Sequence, residues 1–315
     1  MKLLITQTLP QSVMDAAASQ FDTSTRDGLP PLSVEEARDA LASYDLILPS
    51  LGDGFTAAAF DGEVRCKLLA NFGVGYNHID VAAAHAAGVA VSNTPGTVTD
   101  ATADIAMTLL LMSARRASEG EALLRSGRWT GWTPTQLLGS HVTGKTLGIL
   151  GLGRIGKAIA KRAHFGFDMN IVFHNRSRIT DAGLPATQLA SVEEVLAAAD
   201  FTVVAVPATP ETYHLINAET LAHMPVHAHL INIARGDIVD ETALIAALQS
   251  GQIAGAGLDV YEFEPLVAEA LREIANVTLL PHMGTAALEV REAMGNMALD
   301  NLSAFAAGKP LTNPV

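Results

Sequence analysis

Short apolar runs alternate with helix-like amphipathic segments along the first part of the chain. Strands are predicted at residues 2–6, 46–48, 67–70 and 89–92, and helices at residues 12–20, 34–42, 56–60 and 81–87. This alternation indicates βαβ units, in which successive strands lie parallel and helices cover the sheet.

The same alternation returns after a long helix and a less regular arm. The helix is predicted at residues 99–116, and the arm after it carries the only two tryptophans, Trp129 and Trp132. Six further strands are predicted at residues 147–150, 170–174, 202–206, 230–233, 254–259 and 277–280, with helices at residues 192–199, 218–223 and 241–249 between them. Six strands match a Rossmann-type sheet.

A glycine-rich turn begins this second set of strands. The sequence Gly151-Leu152-Gly153-Arg154-Ile155-Gly156 follows a strand and opens a helix-like run. In such a unit the first glycine permits a tight turn, the second lets the backbone approach a pyrophosphate, and the third lets helix and strand pack closely. The helix N-terminus then offers N–H groups to the phosphates. The segment therefore predicts a dinucleotide-binding site. The alternative is that the glycines only allow a tight connection between the strand and the helix.

The end of the next strand indicates which dinucleotide binds. An NAD site usually has an acidic residue there, whereas this chain has Asn175-Arg176-Ser177-Arg178. Guanidinium groups without a competing carboxylate suit a 2′-phosphate. We therefore expect NADPH to be preferred and NADH tolerated; the alternative is a solvated basic turn.

The closing helix, predicted at residues 287–306, belongs to a stretch too short to fold alone, so we expect it to pack on the first domain. The fold class is α/β, with two doubly wound parallel-sheet domains. A Rossmann-type cofactor domain at residues 97–286 is inserted into a flavodoxin-like substrate domain formed by residues 1–96 and 287–315. We expect the substrate cleft between the two domains.

The composition of the chain excludes some kinds of partner and indicates its cellular compartment. The net charge of −13 argues against nucleic acid or an anionic membrane as a partner, because both would repel the chain. The single cysteine, Cys66, suits a reducing compartment and is expected in the core. No signal segment or membrane-spanning apolar run is recognised. We expect a soluble, cytoplasmic protein without a metal ion.

Three polar residues follow predicted strands of the second sheet, where open α/β sheets bind ligands: Arg235, Glu264 and His282. They are the types that 2-keto acid reduction needs. While a nicotinamide supplies hydride, histidine can protonate the oxygen and a neighbouring carboxylate favours the charged imidazole. Arginine can hold the substrate carboxylate by a fork of hydrogen bonds. The alternative is that these three residues are ordinary polar groups on the surface without a catalytic role. Histidines expected to be structural or solvated are His85, His141, His164, His174, His223, His227 and His229.

Four separated motifs resemble the D-isomer-specific 2-hydroxyacid dehydrogenases, namely residues 151–156, 232–236, 257–265 and 281–284. Residues 71–80, NFGVGYNHID, are similar to the signature of that family's first domain. The likeness covers nearly the whole chain and within the family is greatest to the glyoxylate/hydroxypyruvate reductases, partly through the basic turn and the tryptophan-bearing arm.

The resemblance implies Arg235, Glu264 and His282 as the catalytic set. Motif and resemblance together give the cofactor-binding residues Thr102, Gly151, Leu152, Gly153, Arg154, Ile155, Gly156, Asn175, Arg176, Ser177, Arg178, Val206, Pro207, Ile233, Ala234, Asp259 and Gly284. Substrate-binding residues are Leu51, Gly52, Val74, Gly75, Arg235, His282 and Trp132.

Within that implied site, Asp259 would hold the nicotinamide carboxamide, and the backbone N–H groups of Val74 and Gly75 would bind the substrate carboxylate. The resemblance also implies a homodimer with an arm at about residues 115–146 crossing to the partner, where Trp132 would close the neighbouring pocket. From the chain itself, the two tryptophans are either an anchor on the protein's own core or a subunit contact.

The function expected is NADPH-preferring reduction of glyoxylate and hydroxypyruvate to glycolate and D-glycerate. The alternatives are a reductase of larger 2-keto acids, such as 2-ketogluconate or phenylpyruvate, and a dinucleotide-sensing binding protein similar to corepressors.

Overall fold

The computed structural model describes residues 1–315, which form two compact units. The first unit consists of Met1–Val98 and Thr285–Val315, and the second of Thr99–Gly284. The second unit therefore begins and ends two residues inside the range 97–286 given by the sequence. Each unit contains one parallel sheet covered by helices.

The first unit contains a five-stranded parallel sheet. Its strands are β1 (Lys2–Ile5), β2 (Asp22–Thr25), β3 (Leu46–Leu48), β4 (Leu68–Ala70) and β5 (Ala90–Ser92), and its helices are α1 (Gln11–Gln20), α2 (Val34–Ser43), α3 (Val81–Ala86) and α11 (Leu288–Ala306). A 3₁₀ helix occupies Ala57–Phe60. The strand order β2-β1-β3-β4-β5 is that of flavodoxin-like folds.

Strand β2 is absent from the sequence prediction. Its sequence is DTST, three of its four residues are exposed, and it pairs only with β1 at the edge of the sheet. A strand with little buried surface has no apolar run to reveal it.

The last helix packs on the first unit. Ala298, Leu299 and Leu302 of α11 share a core cluster with Leu3 and Val13. On the other face of the sheet, Cys66 is fully buried, and burial raises the pKa of its thiol to about 12. This cysteine packs in the core, as predicted.

The second unit contains a seven-stranded parallel sheet. Its strands are β6 (Thr146–Leu150), β7 (Asn170–His174), β8 (Thr187–Gln188), β9 (Phe201–Val204), β10 (His229–Asn232), β11 (Gly255–Leu258) and β12 (Val277–Leu279). Its helices are α4 (Thr99–Ala114), α5 (Ala117–Arg125), α6 (Arg154–Phe167), α7 (Val192–Ala198), α8 (Ala218–Leu221), α9 (Glu241–Gln249) and α10 (Glu269–Glu273).

The strand order of this sheet is β8-β7-β6-β9-β10-β11-β12. The first six strands in this direction follow the Rossmann order 3-2-1-4-5-6, and β12 adds a strand at the edge. The predicted α/β fold with a Rossmann-type sheet is confirmed. Apolar side chains from both faces of the sheet form two core clusters.

Two predictions for the second unit are corrected. The expected count of six strands is wrong, because the two-residue strand β8 pairs with β7 at the edge and is too short to give a periodic signal. The arm is not wholly irregular, since α5 forms part of it. No residue of α5 is buried, so it lacks the fully buried face that marks most helices.

None of the helices combines the length and the apolar composition needed to cross a lipid bilayer.

Candidate active site

The glycine-rich loop between β6 and α6 has the geometry that a dinucleotide pyrophosphate requires. Gly151 has a left-handed backbone with φ 97°, and a Cβ there would lie 2.7 Å from the Ala205 carbonyl oxygen. A Cβ at Gly156 would lie 2.3 Å from the Gly151 carbonyl oxygen. A Cβ at Gly153 would meet open space, and no side chain caps the N-terminus of α6. The backbone N–H groups at the start of α6 are therefore uncapped and placed to bind phosphate.

The loop lies at the point where the strand order reverses, between β6 and β9. The Ala205 N–H donates to the Leu150 carbonyl (2.8 Å), which holds the ends of these two strands together. Val206 and Pro207 follow directly, and the Pro207 carbonyl accepts a hydrogen bond from Thr212 (2.8 Å). Open α/β sheets bind their ligands at this reversal.

Residues at the end of β7 form the other predicted part of the cofactor site. Asn175 Oδ1 accepts from the Leu152 N–H (3.1 Å), and its Nδ2 donates to the Ser177 hydroxyl (3.3 Å). Arg176, Ser177 and Arg178 are exposed. The Asn175 side chain therefore ties the basic turn to the glycine loop, and the three exposed residues are accessible to a ligand.

The basic turn has an acidic neighbour, Glu211, in the loop that follows β9. The pKa of the Glu211 carboxyl is lowered by a hydrogen bond from Thr209, by its own backbone N–H and by the positive charge of Arg176. The Arg176 guanidinium is therefore near enough to Glu211 for the two charges to interact.

Two of the three candidate catalytic side chains, His282 and Glu264, are hydrogen-bonded to each other beyond the carboxyl ends of β11 and β12. His282 Nδ1 donates to Glu264 Oε2 (2.8 Å), while Glu264 Oε1 accepts the Tyr261 N–H (3.0 Å). The imidazole and the carboxylate each keep about 30% of their side-chain surface exposed. Since Nδ1 faces the carboxylate, Nε2 is the ring nitrogen left for a substrate.

The His282 backbone is held in an uncommon conformation by Asp259. The residue has φ 53°, a left-handed value that a non-glycine side chain rarely adopts. Its N–H donates to the Asp259 carbonyl (2.9 Å), and the Asp259 carboxylate accepts the N–H groups of Met283 (2.6 Å) and Gly284 (2.8 Å). Conformations of this kind cluster at active sites, where surrounding bonds maintain them.

Asp259 is nearly fully buried among these N–H donors. Burial raises the pKa of its carboxyl, and the Met283 N–H opposes that shift only in part. A Cβ added at Gly284 would lie 3.3 Å from Asp259 Oδ2 and 3.6 Å from Thr102 Oγ1. Three of the predicted cofactor-binding residues, Thr102, Asp259 and Gly284, are therefore neighbours.

The Glu264 carboxyl is stabilised in its ionised form. Burial by itself would raise its pKa, but the hydrogen bond and charge of His282, the Tyr261 N–H and the charge of Arg235 together hold the pKa below its usual value. An ionised carboxylate can only accept hydrogen bonds, so His282 Nδ1 is the donor in this pair.

Arg235 has a buried donor without a partner. Its Nη1 donates to the Ala234 carbonyl (2.6 Å), whereas Nε is buried and makes no hydrogen bond. Burial lowers the pKa of the guanidinium, and the charges of Glu264 and Asp237 oppose this. An unpaired buried donor is costly, so an anionic ligand that pairs with it would be stabilised.

The turn bearing Arg235 is fixed by Asn232, a residue for which no role was predicted. Asn232, at the end of β10, donates to the Arg235 carbonyl (2.8 Å) and accepts the Ala234 N–H (3.1 Å). Ile233, the other predicted cofactor contact here, is 6% exposed. An asparagine at the end of an apolar strand is the signal in the sequence that could have identified this role.

Two further supports hold the Glu264 loop and were not found from sequence. The Tyr261 hydroxyl donates to the Leu280 carbonyl (2.8 Å) and so links the loops after β11 and β12. Glu241 Oε1 accepts the Glu262 N–H (2.8 Å). The pKa of buried Glu241 is raised, chiefly by burial and also by the charges of Glu262 and Glu264.

In the first unit, the predicted substrate loops follow β3 and β4. The Phe72 N–H donates to the Pro49 carbonyl (2.9 Å), which brings the two loops together. Asn71 donates to the Gly73 carbonyl (3.0 Å), and Asn93 to the Val74 carbonyl (2.9 Å). These bonds fix the peptide planes whose N–H groups are predicted to bind a carboxylate. The neighbouring pair, Leu51 and Gly52, is exposed.

The arm in the second unit exposes both tryptophans. Trp132 is 78% exposed and Trp129 is 48% exposed, with its Nε1 donating to Gln136 (3.2 Å). Neither is an anchor buried in the core of its own chain, so that interpretation is wrong. The contact of Trp132 with a substrate remains a prediction.

Comparison with known proteins identifies the family. The model of the D-isomer specific 2-hydroxyacid dehydrogenase NAD-binding domain matches residues 107–284. A glyoxylate reductase of Thermococcus onnurineus is 41% identical over 313 residues, covering 98% of this chain and 93% of that protein. A glycerate dehydrogenase of Hyphomicrobium methylovorum is 39% identical over 315 residues, covering 99% and 98%.

A solved structure shares the whole fold. An NADPH-dependent glyoxylate/hydroxypyruvate reductase of Sinorhizobium meliloti, in complex with NADP and malonate, has a TM-score of 0.89 and 36% identity over 100% of this chain and 96% of that one. The chain therefore belongs to the D-isomer specific 2-hydroxyacid dehydrogenases and is a nicotinamide-dinucleotide-dependent oxidoreductase.

Proposed function

We propose that this enzyme reduces small 2-keto acids, glyoxylate and hydroxypyruvate foremost, to glycolate and D-glycerate, with NADPH as the preferred reductant. The observation that carries the proposal is the His282–Glu264 pair beside Arg235 at one edge of the second sheet. An acid, its supporting carboxylate and an anion-binding cation are what the reduction of a keto acid needs.

The residues divide the reaction between binding and proton transfer. NADPH, when bound, supplies the hydride that attacks the carbonyl carbon. Arg235 binds the carboxylate and the keto oxygen by its guanidinium fork, pairing its buried Nε. His282 gives the proton on Nε2 to the keto oxygen as the carbonyl bond becomes a single bond. Glu264 accepts from Nδ1 throughout and stabilises the protonated ring that starts the step.

The basic turn after β7 supports the preference for NADPH. Arg176 and Arg178 are exposed, and Asn175 takes the position where NAD-preferring relatives carry an acid. A 2′-phosphate would therefore meet the positive charges of Arg176 and Arg178 and a hydroxyl donor from Ser177, with an amide instead of an acid at position 175.

The named relatives support the same substrate class. The proteins of Thermococcus onnurineus and Hyphomicrobium methylovorum are named for glyoxylate and glycerate, and the Sinorhizobium meliloti structure is named for glyoxylate and hydroxypyruvate with NADPH. Glycerate is the reduced form of hydroxypyruvate, so the names describe one kind of chemistry.

The test is a panel of 2-keto acids assayed with NADPH and with NADH. We expect the highest kcat/KM for glyoxylate or hydroxypyruvate with NADPH. Higher values for phenylpyruvate or 2-ketogluconate would move the proposal to larger substrates. Tighter binding and faster turnover with NADH would overturn the cofactor preference. No turnover with any keto acid would favour a dinucleotide-binding protein without this activity.

We also propose that the arm joins two copies of the chain. Besides Trp129 and Trp132, it exposes Leu124 (61%) and Leu138 (66%), and exposed apolar groups of this size are typical of interfaces. Light scattering should give the mass of a dimer for the wild type and of a monomer for a Trp129→Ser, Leu138→Ser variant. Trp132→Ala should raise KM for the keto acid if Trp132 closes the partner's pocket.

A further inference from the structure

The edge strand β8, which the sequence did not predict, places one side chain against the basic turn after β7. In the register of the sheet, Gln188 pairs with Phe173, next to the final residue of β7. The side chain of Gln188 therefore starts beside the point where the turn, residues 175–179, leaves the sheet.

The Gln188 amide makes three hydrogen bonds to the backbone of that turn. Its Oε1 accepts the Ile179 N–H (2.9 Å), and its Nε2 donates to the carbonyls of Asn175 and Ser177 (both 3.1 Å). The orientation of the amide follows from the partners, because two carbonyls require the donor and an N–H requires the acceptor.

The turn is thus fixed at both of its ends. At its start, the Asn175 side chain accepts the Leu152 N–H of the glycine loop. At its end, Ile179 packs against a core cluster and its N–H is held by Gln188. Between these anchors lie the exposed residues Arg176, Ser177 and Arg178. Two carbonyls and one N–H of the turn bond to Gln188, so this amide contributes three of the hydrogen bonds that hold the short segment.

We propose that Gln188 is the positioning residue for 2′-phosphate recognition, holding Arg176, Ser177 and Arg178 in the arrangement that binds this group. The inference rests on the proposed preference for NADPH. Gln188 itself need not touch the phosphate. Two exposed arginine side chains have high conformational entropy, and a fixed backbone reduces what is lost when both pair with one phosphate.

Two substitutions at position 188 separate the loss of hydrogen bonds from a change of charge. Methionine has a similar length but no donor or acceptor, so Gln188→Met removes all three hydrogen bonds and leaves the charge unchanged. Gln188→Glu places a carboxylate against two carbonyl oxygens and adds a negative charge near the arginines. Gln249→Glu is a matched control, since it makes the same change of charge at an exposed residue at the end of α9.

The experiment measures binding of 2′,5′-ADP and 5′-AMP by calorimetry, because the two probes differ only in the 2′-phosphate. For the wild type we expect tighter binding of 2′,5′-ADP. Gln188→Met should weaken 2′,5′-ADP by about tenfold and 5′-AMP by less than about threefold, and Gln188→Glu should weaken 2′,5′-ADP further. Gln249→Glu should leave both affinities unchanged.

The affinity for 5′-AMP and the Tm of each variant report whether the domain is folded. Equal loss for both probes in Gln188→Met would indicate a general structural role and overturn the inference. So would an unchanged preference for 2′,5′-ADP, and in either case the wild-type preference for NADPH would stand. A wild type that binds 5′-AMP as tightly as 2′,5′-ADP would overturn the preference and this inference together.

Discussion

Two histidines lie at opposite ends of the strands of the second sheet, and their surroundings differ. His229 begins β10, is 4% exposed, stacks on Phe201 and has Nδ1 2.8 Å from the Ser113 hydroxyl. His282 follows β12, keeps 30% of its side chain exposed and has Nδ1 2.8 Å from a Glu264 carboxylate oxygen. The distances are equal, but one partner is neutral and the other is ionised.

The comparison shows that partner and burial decide the chemistry of an imidazole. Burial, with the charge of His227 adding to it, lowers the pKa of His229 to about 4, so this ring is neutral near pH 7 and serves packing. His282 has solvent on one side and a carboxylate on the other, which is the arrangement of a group that exchanges protons. Substitutions at His282, Glu264, His229 and Arg235 test this contrast.

His282→Ala should lower kcat for glyoxylate by a factor of roughly 10² or more, because the keto oxygen loses its proton donor. Steady-state kinetics with saturating NADPH measure this. The matched variant is His229→Gln, which should keep kcat within about threefold of the wild type. Near-wild-type turnover in His282→Ala would discard the acid role.

Glu264→Gln should make His282 resemble His229 by replacing its ionised partner with a neutral one. Without the carboxylate, the imidazole loses the charged acceptor that orients its Nδ1–H. We expect kcat for glyoxylate to fall about 10- to 50-fold at saturating NADPH, with a smaller change in KM. A kcat within about threefold of the wild-type value would contradict the pairing.

Because of His229, the free energy of unfolding should depend on pH within a defined acidic range. Between about pH 6.5 and about pH 4, the unfolded chain binds a proton that folded His229 does not, so the free energy of unfolding falls as the pH is lowered. The loss at pH 5 relative to pH 7.5 should be about 2 kcal/mol. Denaturant titrations should show a smaller loss in His229→Gln, whereas equal losses in both proteins would assign the effect to other groups.

Arg235→Lys tests whether the guanidinium at the same edge of the sheet binds the substrate. An ammonium keeps the charge but cannot form the fork, so KM for glyoxylate should rise about tenfold with a smaller change in kcat. Arg272→Lys, in α10 and exposed, is the control and should leave KM unchanged. An unchanged KM in Arg235→Lys would show that the guanidinium does not bind the keto acid.

Much of the fold was accessible from the sequence because buried strands and helices carry an apolar pattern. The strand Asn170–His174 and the helix Glu241–Gln249 have the predicted bounds. Three of the missed elements, β2, β8 and α5, have little or no buried surface and therefore little pattern. The missed helix α10 does bury Leu271, but its five residues are too few to show a helical period. For the site, strand ends followed by Arg235, Glu264 and His282 were visible, since parallel strands carry their carboxyl ends to one edge.

The sequence by itself determined the α/β alternation, the glycine turn and the chemical types at the strand ends. Only the tertiary structure decided that His282 meets Glu264 in a left-handed backbone held by Asp259, and that Gln188 fixes the basic turn. The physical reason is that an apolar pattern reports whether one residue is buried. A hydrogen bond between residues 18 positions apart, as between Glu264 and His282, depends on how two loops close over the same sheet edge.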